Sequence, residues 1–197
     1  MRVTNATWVW SDTHFGHKKI VQYGQRPESH EVIMLSNWIE RVGEDDVILH
    51  LGDVFMGKQG NPKRWAKVLA RMPGHKYVIL GNHDKDPKLL VSAGFEVINP
   101  FVWTSQWGAV AFTHRPISSM YYGCPEDKLP LQWDVDYLPG WSINVHGHTH
   151  LNTVHPMDGD PLAGKTYVNV CVEHTEMAPV QIGSVLSSTA KVWTATR

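Results

Sequence analysis

Several short apolar segments of this chain end on acidic, amide or imidazole side chains. Residues 77–80 are apolar and partly β-branched, which predicts a buried strand, and they lead directly into Gly81-Asn82-His83-Asp84. In open α/β sheets, ligands bind at the edge formed by the carboxyl ends of the strands. A single polar turn of this kind is common and says little about function. The pattern is informative because it recurs at other predicted strand ends.

The recurrence involves four more predicted strands. Residues 7–10 lead to Asp12 and His14, residues 47–51 to Asp53, residues 109–112 to His114, and residues 142–146 to His148 and His150. Alternate residues of an extended segment face the same way, so Asp12 and His14 are expected to converge, as are His148 and His150. Taken alone, Asp12 could equally cap a turn, with His14 merely exposed. His50 lies inside its strand and is expected in the core or behind the ligands.

The combined set of side chains suits a pair of metal ions. Two carboxylates, one amide and several imidazoles are enough for two divalent ions that share a bridging acid. Two such ions, about 3.5–4 Å apart, can bind a phosphate and generate hydroxide at neutral pH. The predicted centre would lie at one edge of the sheet.

Strand and helix patterns alternate in the first half of the chain, which indicates an α/β fold built on a mixed sheet. One helix is predicted over residues 29–42, with its apolar positions at spacings of three and four. Those positions are Val32, Leu35, Ile39 and Val42, and Met34 and Trp38 near that face are also expected in the core. A second helix is expected to start at Asn61-Pro62, a short third helix to cover residues 87–93, and a turn to occupy residues 105–108. Residues 166–170 and 191–194 are expected to form closing strands.

Composition narrows the class of protein. The chain has 197 residues and a net charge of −1, with no basic tract that would bind nucleic acid non-specifically. Its two cysteines match no zinc or redox motif, and no apolar run approaches the ~20 residues of a membrane span. We therefore expect one cytoplasmic domain over residues 1–197. The long aromatic stretch at residues 117–141 is typical of an active-site lid, whose rings could either stack on a nucleobase or only pack against the rest of the domain.

The order of the polar motifs resembles that of the calcineurin-like metallophosphoesterase superfamily. The family pattern is Asp-x-His, Gly-Asp, Gly-Asn-His-Asp/Glu, His and Gly-His-x-His, and all five elements occur in order from Asp12 to His150. Residues 11–20 look like the small single-domain branch of bacteria and phages, and are also similar to phage members that open 2′,3′-cyclic nucleotides. The resemblance implies a four-layer αββα sandwich with mixed sheets.

The resemblance also implies a role for each motif residue. One ion would be held by Asp12, His14 and His150, the other by Asn82, His114 and His148, and Asp53 would bridge both. His83 would not be a ligand but would lie near the leaving-group oxygen. Some relatives carry an arginine a few residues after the bridging acid, whereas this chain does not. His17 and Arg115 are therefore the candidates for phosphate binding.

The implied activity is a metal-dependent hydrolysis of phosphodiesters, in which a hydroxide bridging the two ions attacks phosphorus. The expected substrates are 2′,3′-cyclic nucleotides and small model diesters, and the expected cofactor is a pair of Mn²⁺ ions. The ligand set also suits Fe, Ni, Co or Zn. Alternatives are a nuclease or phosphomonoesterase of the same chemistry, or a non-catalytic scaffold that binds metal or nucleotide. The oligomeric state is left open.

Overall fold

The computed structural model describes residues 1–56, 60–117, 138, 140–152 and 164–195, with the side chains of residues 190–195 left aside. The strands are β1 (Trp8–Trp10), β2 (Val47–His50), β3 (His75–Ile79), β4 (Phe95–Ile98), β5 (Phe101–Ser105), β6 (Gly108–Phe112), β7 (Ile143–His146), β8 (Thr166–Asn169) and β9 (Val180–Gln181). The helices are α1 (Ile20–Tyr23), α2 (His30–Arg41), α3 (Pro62–Leu69), α4 (Pro87–Ser92) and α5 (Ile182–Ala195). Most of the predicted lid, residues 117–141, falls outside the described residues.

The strands form two mixed sheets. The first sheet has the order β4-β3-β2-β1-β9, and its four strands from β1 to β4 run parallel while β9 is antiparallel. The second has the order β5-β6-β7-β8, in which β5 and β6 form the antiparallel hairpin expected around residues 105–108 and the other pairs are parallel. The predicted α/β class with mixed sheets is confirmed.

Alternating residues of the central strands supply two separate cores. Val9 and Leu49 point between the sheets, where they pack with Val110 of the second sheet. Their neighbours Trp10 and Ile48 face the other way and pack with residues from α2, α3 and α4. Because successive side chains of a strand point to opposite faces, one apolar run can serve both layers. The uninterrupted apolar strands of the sequence are explained by this arrangement.

Helix α2 forms where it was predicted, but only part of its predicted apolar face is buried. Met34 and Trp38 are fully buried, whereas Val32 and Ile39 are 69% and 59% exposed. Both pairs satisfy helical spacing, so periodicity alone did not separate them. The indole of Trp38 packs edge-on to Trp10 at 5.2 Å between ring centroids, and aromatic side chains bury more area than aliphatic ones. The burial expected of Val32 and Ile39 was therefore wrong, whereas the core role expected of Met34 and Trp38 is confirmed.

The predicted closing strand at residues 191–194 was also wrong, because these residues lie in α5. β-Branched residues lower helix propensity only slightly, and tertiary packing overrides that preference. In α5 the packing comes from Ile182 and Leu186, four residues apart and both buried in the core between the sheets. Within the described ranges, no helix is long and apolar enough to cross a membrane.

The two sheets meet at the carboxyl ends of their parallel strands. Ser11, just after β1, forms a parallel bridge with Cys171, which follows β8, and the amide of Val172 donates to the carbonyl of Ser11 at 3.1 Å. Segments that follow strands of different sheets are thus held side by side. All the predicted ligands lie on this shared edge, as expected for the ligand-binding edge of an α/β sheet.

Candidate metal centre

The structure gathers the predicted ligands into two neighbouring groups. Within each group, the side-chain atoms able to bind a metal lie within 4.8 Å of one another. The first group is Asp12, His14 and His150, and the second is Asp53, His114 and His148. Asn82 adjoins the second group, since its Oδ1 lies 3.0 Å from Nε2 of His114. These are the pairings that the resemblance implied.

Asp53, a member of the second group, also reaches the first. Its Oδ2 is 3.7 Å from Nε2 of His14 and 3.6 Å from Nε2 of His114. The side chain is buried, with 2% of its surface exposed. One carboxylate oxygen in contact range of both groups is what a bridging ligand requires.

The backbone at these residues is not extended, contrary to the expectation from strand alternation. Strand β1 ends at Trp10 and β7 ends at His146. Five of the seven ligand residues have positive φ angles: Asp12 58°, His14 48°, Asp53 57°, His148 69° and His150 48°. Left-handed conformations cost non-glycine residues on the order of 1–3 kcal/mol each and cluster at functional sites. Tight turns, rather than the period of a strand, bring the side chains together.

Two glycines allow the ligand turns to approach each other. A Cβ on Gly81 would lie 2.2 Å from Oδ1 of Asp53. A Cβ on Gly147 would lie 2.1 Å from Oγ of Ser11 and 2.2 Å from Oδ2 of Asp12. Real side chains do not tolerate such distances, so the glycine of each motif is required by close packing behind the ligands.

Asp84, the last residue of Gly81-Asn82-His83-Asp84, joins two ligand turns rather than facing the centre. Its carboxylate accepts hydrogen bonds from the amides of Asp53 at 2.7 Å, Val54 at 3.0 Å and Gly81 at 2.9 Å. Sequence reasoning gave this residue no role. Two of its three partners lie 31 and 30 residues away along the chain, so no local sequence pattern marks this role.

Hydrogen bonds define how His114 can bind a metal. Its Nδ1 lies 2.7 Å from the carbonyl oxygen of Leu51 and must donate, which leaves the lone pair on Nε2. That lone pair faces Oδ1 of Asn82, a second acceptor, at 3.0 Å. Two ligand atoms at right angles around one ion, with bonds of about 2.1 Å, are separated by roughly 3 Å. The pair therefore has the spacing of two ligands of one cation.

Asp12 presents one oxygen to the protein and the other to the centre. Its Oδ2 accepts from Oγ of Ser11 at 2.6 Å, from the amide of His148 at 2.8 Å and from Sγ of Cys171 at 3.3 Å. Its Oδ1 and both ring nitrogens of His14 are buried and have no hydrogen-bond partner among the described residues. Buried polar atoms are nearly always paired, and a divalent cation would satisfy Oδ1 and Nε2 together. The residues present fit the implied metal ions.

The charge states of the buried groups favour the same ligands. Burial lowers the pKa of His14 to about 4 and that of His148 to about 3, so both rings are neutral at pH 7 and able to bind a metal. Burial also raises the pKa of Asp53, and the nearby carboxylates of Asp12 and Asp84 raise it further. Crowded buried carboxylates repel one another, and cations between them would remove that repulsion.

The residues predicted to act on substrate lie around this centre. The side chain of His83 is 41% exposed, with Nε2 4.0 Å from Oδ2 of Asp53 and its ring 5.3 Å from that of His14. The ring of His17 lies 5.9 Å from that of His14. Arg115 follows His114 directly and is half-buried. All three are near the ligands.

Two further residues that sequence reasoning missed support the first group from behind. Oε1 of Glu173 lies 2.9 Å from Nδ1 of His150, and the guanidinium of Arg26 donates to the same oxygen at 2.6 and 2.9 Å. Glu173 follows β8 and Arg26 follows α1, far from the recognised motifs. No local pattern marks either residue, so only their contacts identify them.

The fold and the two ligand groups define an α/β protein with a centre for divalent metal ions at the shared edge of its sheets. A model of the calcineurin-like phosphoesterase family matches residues 6–158, and the chain belongs to this family.

The chain is also similar to proteins whose names state no activity. An uncharacterised protein of Methanocaldococcus jannaschii is 28% identical over 185 residues, covering 91% of this chain and 88% of that protein. The gene 66 protein of Mycobacterium phage L5 is 35% identical over 166 residues, covering 73% of this chain and 77% of that protein. The crystal structure of a protein of unknown function from Aquifex aeolicus shares the fold, with a TM-score of 0.66, 23% identity and coverage of 88% of this chain and 94% of that one.

Proposed function

We propose that the protein is a phosphodiesterase that uses two divalent metal ions and acts on 2′,3′-cyclic nucleotides and small model diesters. The observation that carries the proposal is the position of Asp53. Its Oδ2 lies 3.7 Å from a ligand atom of one group and 3.6 Å from a ligand atom of the other, beside the half-exposed ring of His83. Mn²⁺ is the metal that we would test first.

In this proposal the chain's residues divide between holding the ions and moving a proton. The two ions would polarise the phosphate and supply hydroxide at neutral pH. Asp12, His14 and His150 would hold one ion and Asn82, His114 and His148 the other, with Asp53 shared. His83 would donate the proton from its ring to the departing alkoxide, since it is next to the centre yet open to substrate. The backbone amide of His83 donates a hydrogen bond to Oδ1 of Asp53 at 2.7 Å, which holds His83 in place.

Substrate size and charge support a small diester over a nucleic acid. The chain carries a net charge of −1 and has no basic tract, whereas proteins that bind long nucleic acids neutralise several phosphates with lysine and arginine. The resemblance of residues 11–20 to phage enzymes that open 2′,3′-cyclic nucleotides favours that substrate. His17 and Arg115 are proposed to contact the phosphate or the ribose.

A substrate panel with added Mn²⁺ tests the proposed reaction. The panel contains 2′,3′-cyclic nucleotides, 3′,5′-cyclic nucleotides, bis(4-nitrophenyl) phosphate, a phosphomonoester and labelled single-stranded DNA and RNA. We expect the highest kcat/KM for the 2′,3′-cyclic nucleotides. A preference for oligonucleotides would identify a nuclease and a preference for the monoester would identify a monoesterase. No turnover of any substrate by protein with two bound ions would contradict the proposal.

The role of His83 can be tested through the leaving group. General acids contribute about 10²–10⁴-fold to the rate, and they matter most when the departing oxygen is strongly basic. His83→Ala should therefore lower kcat for the 2′,3′-cyclic nucleotide at least about 100-fold, but should lower kcat for bis(4-nitrophenyl) phosphate much less. His75→Ala is the matched control, because His75 is exposed at the opposite end of β3. Equal losses on both substrates would rule out proton donation by His83.

A further inference from the structure

Arg26 and Glu173 form a buried ion pair that touches the first ligand group from two sides. Nε and Nη2 of Arg26 donate to Oε1 of Glu173 at 2.9 and 2.6 Å, and the two side chains are 0% and 2% exposed. A buried ion pair is weak evidence for stability, because the cost of removing both charges from water is large. Stability alone therefore does not explain why Arg26 and Glu173 form a buried pair, and their contacts with the first ligand group suggest another role.

The first contact selects the tautomer of His150. Nδ1 of this ring lies 2.9 Å from Oε1 of Glu173, an ionised acceptor that also receives the hydrogen bonds of Arg26. Since the carboxylate can only accept, Nδ1 carries the proton and the lone pair lies on Nε2. Nε2 is the atom on the side of Asp12, 3.9 Å from its Oδ1. Carboxylates that orient metal-binding imidazoles in this way raise metal affinity.

The second contact holds the ligand turn after β1. Nη2 of Arg26 donates to the carbonyl of Asp12 at 2.7 Å, and Nη1 donates to the carbonyl of Thr13 at 2.9 Å. Asp12 and His14 both have positive φ angles in this turn, a conformation that persists only where the surroundings impose it. Arg26 thus fixes the backbone that carries two ligands while its partner fixes the third.

The second ligand group is oriented by different bonds. His114 is held by the carbonyl of Leu51, and the turn that contains Asp53 is held by Asp84. Neither Arg26 nor Glu173 makes a hydrogen bond to these residues within the described part of the chain. Arg26 and Glu173 thus bond directly to the first group and not to the second, although the amide of His148 also donates to Oδ2 of Asp12 at 2.8 Å and joins the two groups.

We propose that Arg26 and Glu173 are positioning residues for one ion alone, the ion held by Asp12, His14 and His150. The proposal rests on the two-ion centre of the proposed function, but not on the substrate. It predicts that one metal site can be weakened from a distance while the other is unchanged.

The test measures metal affinity rather than turnover. The double variant Arg26→Met/Glu173→Leu replaces both charges by apolar side chains, a change that buried ion pairs often tolerate. Calorimetric titration with Mn²⁺ measures the affinity of the double variant in two backgrounds. His114→Ala removes a ligand of the second site and so isolates the first, and His14→Ala removes a ligand of the first site and so isolates the second. We expect about 10–100-fold weaker binding at the first site and a change below about threefold at the second. Equal weakening at both sites, or none, would overturn the proposal.

Two controls separate positioning from general damage. Arg26→Met/Glu173→Gln keeps an acceptor for Nδ1 of His150 without leaving the charge of Arg26 buried and unpaired, so it should bind Mn²⁺ at the first site more tightly than Arg26→Met/Glu173→Leu. Equal affinity in these two double variants would contradict tautomer selection. Glu31 is another acid near the ligand turn, and its carboxylate accepts from the amide of Gly16 at 2.6 Å. Glu31→Gln should leave the Mn²⁺ affinity of both sites unchanged. A large effect of this change on the first site would count against a specific role for Glu173.

A measurement on the unaltered protein settles the tautomer without any variant. The ¹⁵N NMR shifts of the His150 ring, recorded without metal and at a pH where the ring is neutral, should show the proton on Nδ1. A proton on Nε2 would overturn the proposal even if the double variant failed to fold. If the unaltered protein binds two ions but hydrolyses no substrate in the panel, the proposed function fails while this inference stands.

Discussion

His50 shows how a buried histidine behind the centre makes stability depend on pH. Its Nδ1 accepts from the amide of Gly52 at 3.1 Å, and its Nε2 lies 3.0 Å from Oγ1 of Thr13, which donates to the carbonyl of Val54 at 3.1 Å. The ring is therefore neutral, with its proton on Nε2. Burial lowers its pKa to about 3, so the folded protein resists protonation that the unfolded chain accepts near pH 6.5.

The pH dependence of unfolding tests this state of His50. The folded pKa is lower than the unfolded one, so the stabilisation is complete above pH 6.5 and is lost as pH falls toward 3. When the pH is lowered from 6 to 5, the unfolding free energy of the unaltered protein should fall by about 1 kcal/mol more than that of the His50→Gln variant. Urea unfolding with EDTA present excludes metal loss as a cause. Parallel pH profiles for the two proteins would show that the ring is already protonated when folded.

Gly147 provides a second test at the scale of one residue. A methyl group there would meet Ser11 and the ligand Asp12 at 2.1 and 2.2 Å, so Gly147→Ala must displace a ligand turn. We expect a loss of about 1–3 kcal/mol in unfolding free energy and weaker Mn²⁺ binding. Gly43→Ala is the control, because its added Cβ would meet Asp46 only at an ordinary 3.5 Å. Unchanged metal affinity in Gly147→Ala would mean that the turn has room to move.

Among the elements, α2 shows which of two apolar faces supports the first sheet. Trp38 is fully buried, and its Nε1 donates to the carbonyl of Pro73 at 3.0 Å, whereas Ile39 is 59% exposed. Trp38→Ala should cost about 3–5 kcal/mol, through the lost contacts and the cavity left behind. Ile39→Ala should change stability by less than about 0.5 kcal/mol. Chemical denaturation of both variants measures the difference, and a large cost at Ile39 would mean that this face is covered by another surface in solution.

At the scale of the whole molecule, the metal ions are expected to join the two sheets. Ligands for the first ion follow β1 and β7, which belong to different sheets, so binding would link the sheets at their shared edge. A ligand present at 100 times its Kd stabilises a folded protein by about 2.7 kcal/mol, or roughly 5–10 °C in Tm for a chain of this size. EDTA should lower the Tm of the Mn²⁺-loaded protein by at least that amount.

Asp53→Asn is the variant that tests this link. Because Oδ2 of Asp53 lies near both ligand groups, the variant should lose most of the Mn²⁺-dependent rise in Tm. In EDTA it should be as stable as the unaltered protein or more so, since one of the crowded carboxylates near Asp12 and Asp84 is gone. Two ions bound with unchanged affinity would rule out a bridging role for Asp53.

The sequence by itself determined the parts of this protein that depend on local order along the chain. Apolar runs followed by Asp53, Asn82 or His114 identified the strand ends, because a parallel sheet must bury its strands and expose their carboxyl ends at one edge. The helix starting at Asn61-Pro62 and the hairpin near residues 105–108 followed from capping and turn preferences. The candidate metal ligands were also predicted from this local order, because each follows a predicted strand.

The tertiary structure alone decided which side chains support those ligands and which helix face is buried. Arg26 and Glu173 are 147 residues apart, and no sequence period relates them, so only the packing of β8 beside the turn after β1 brings them together. The same holds for α2, where Trp38 rather than Ile39 is buried because Trp10 and Pro73 already occupy that side. Local patterns specify where elements begin and end, whereas contacts between distant segments depend on how the whole chain packs.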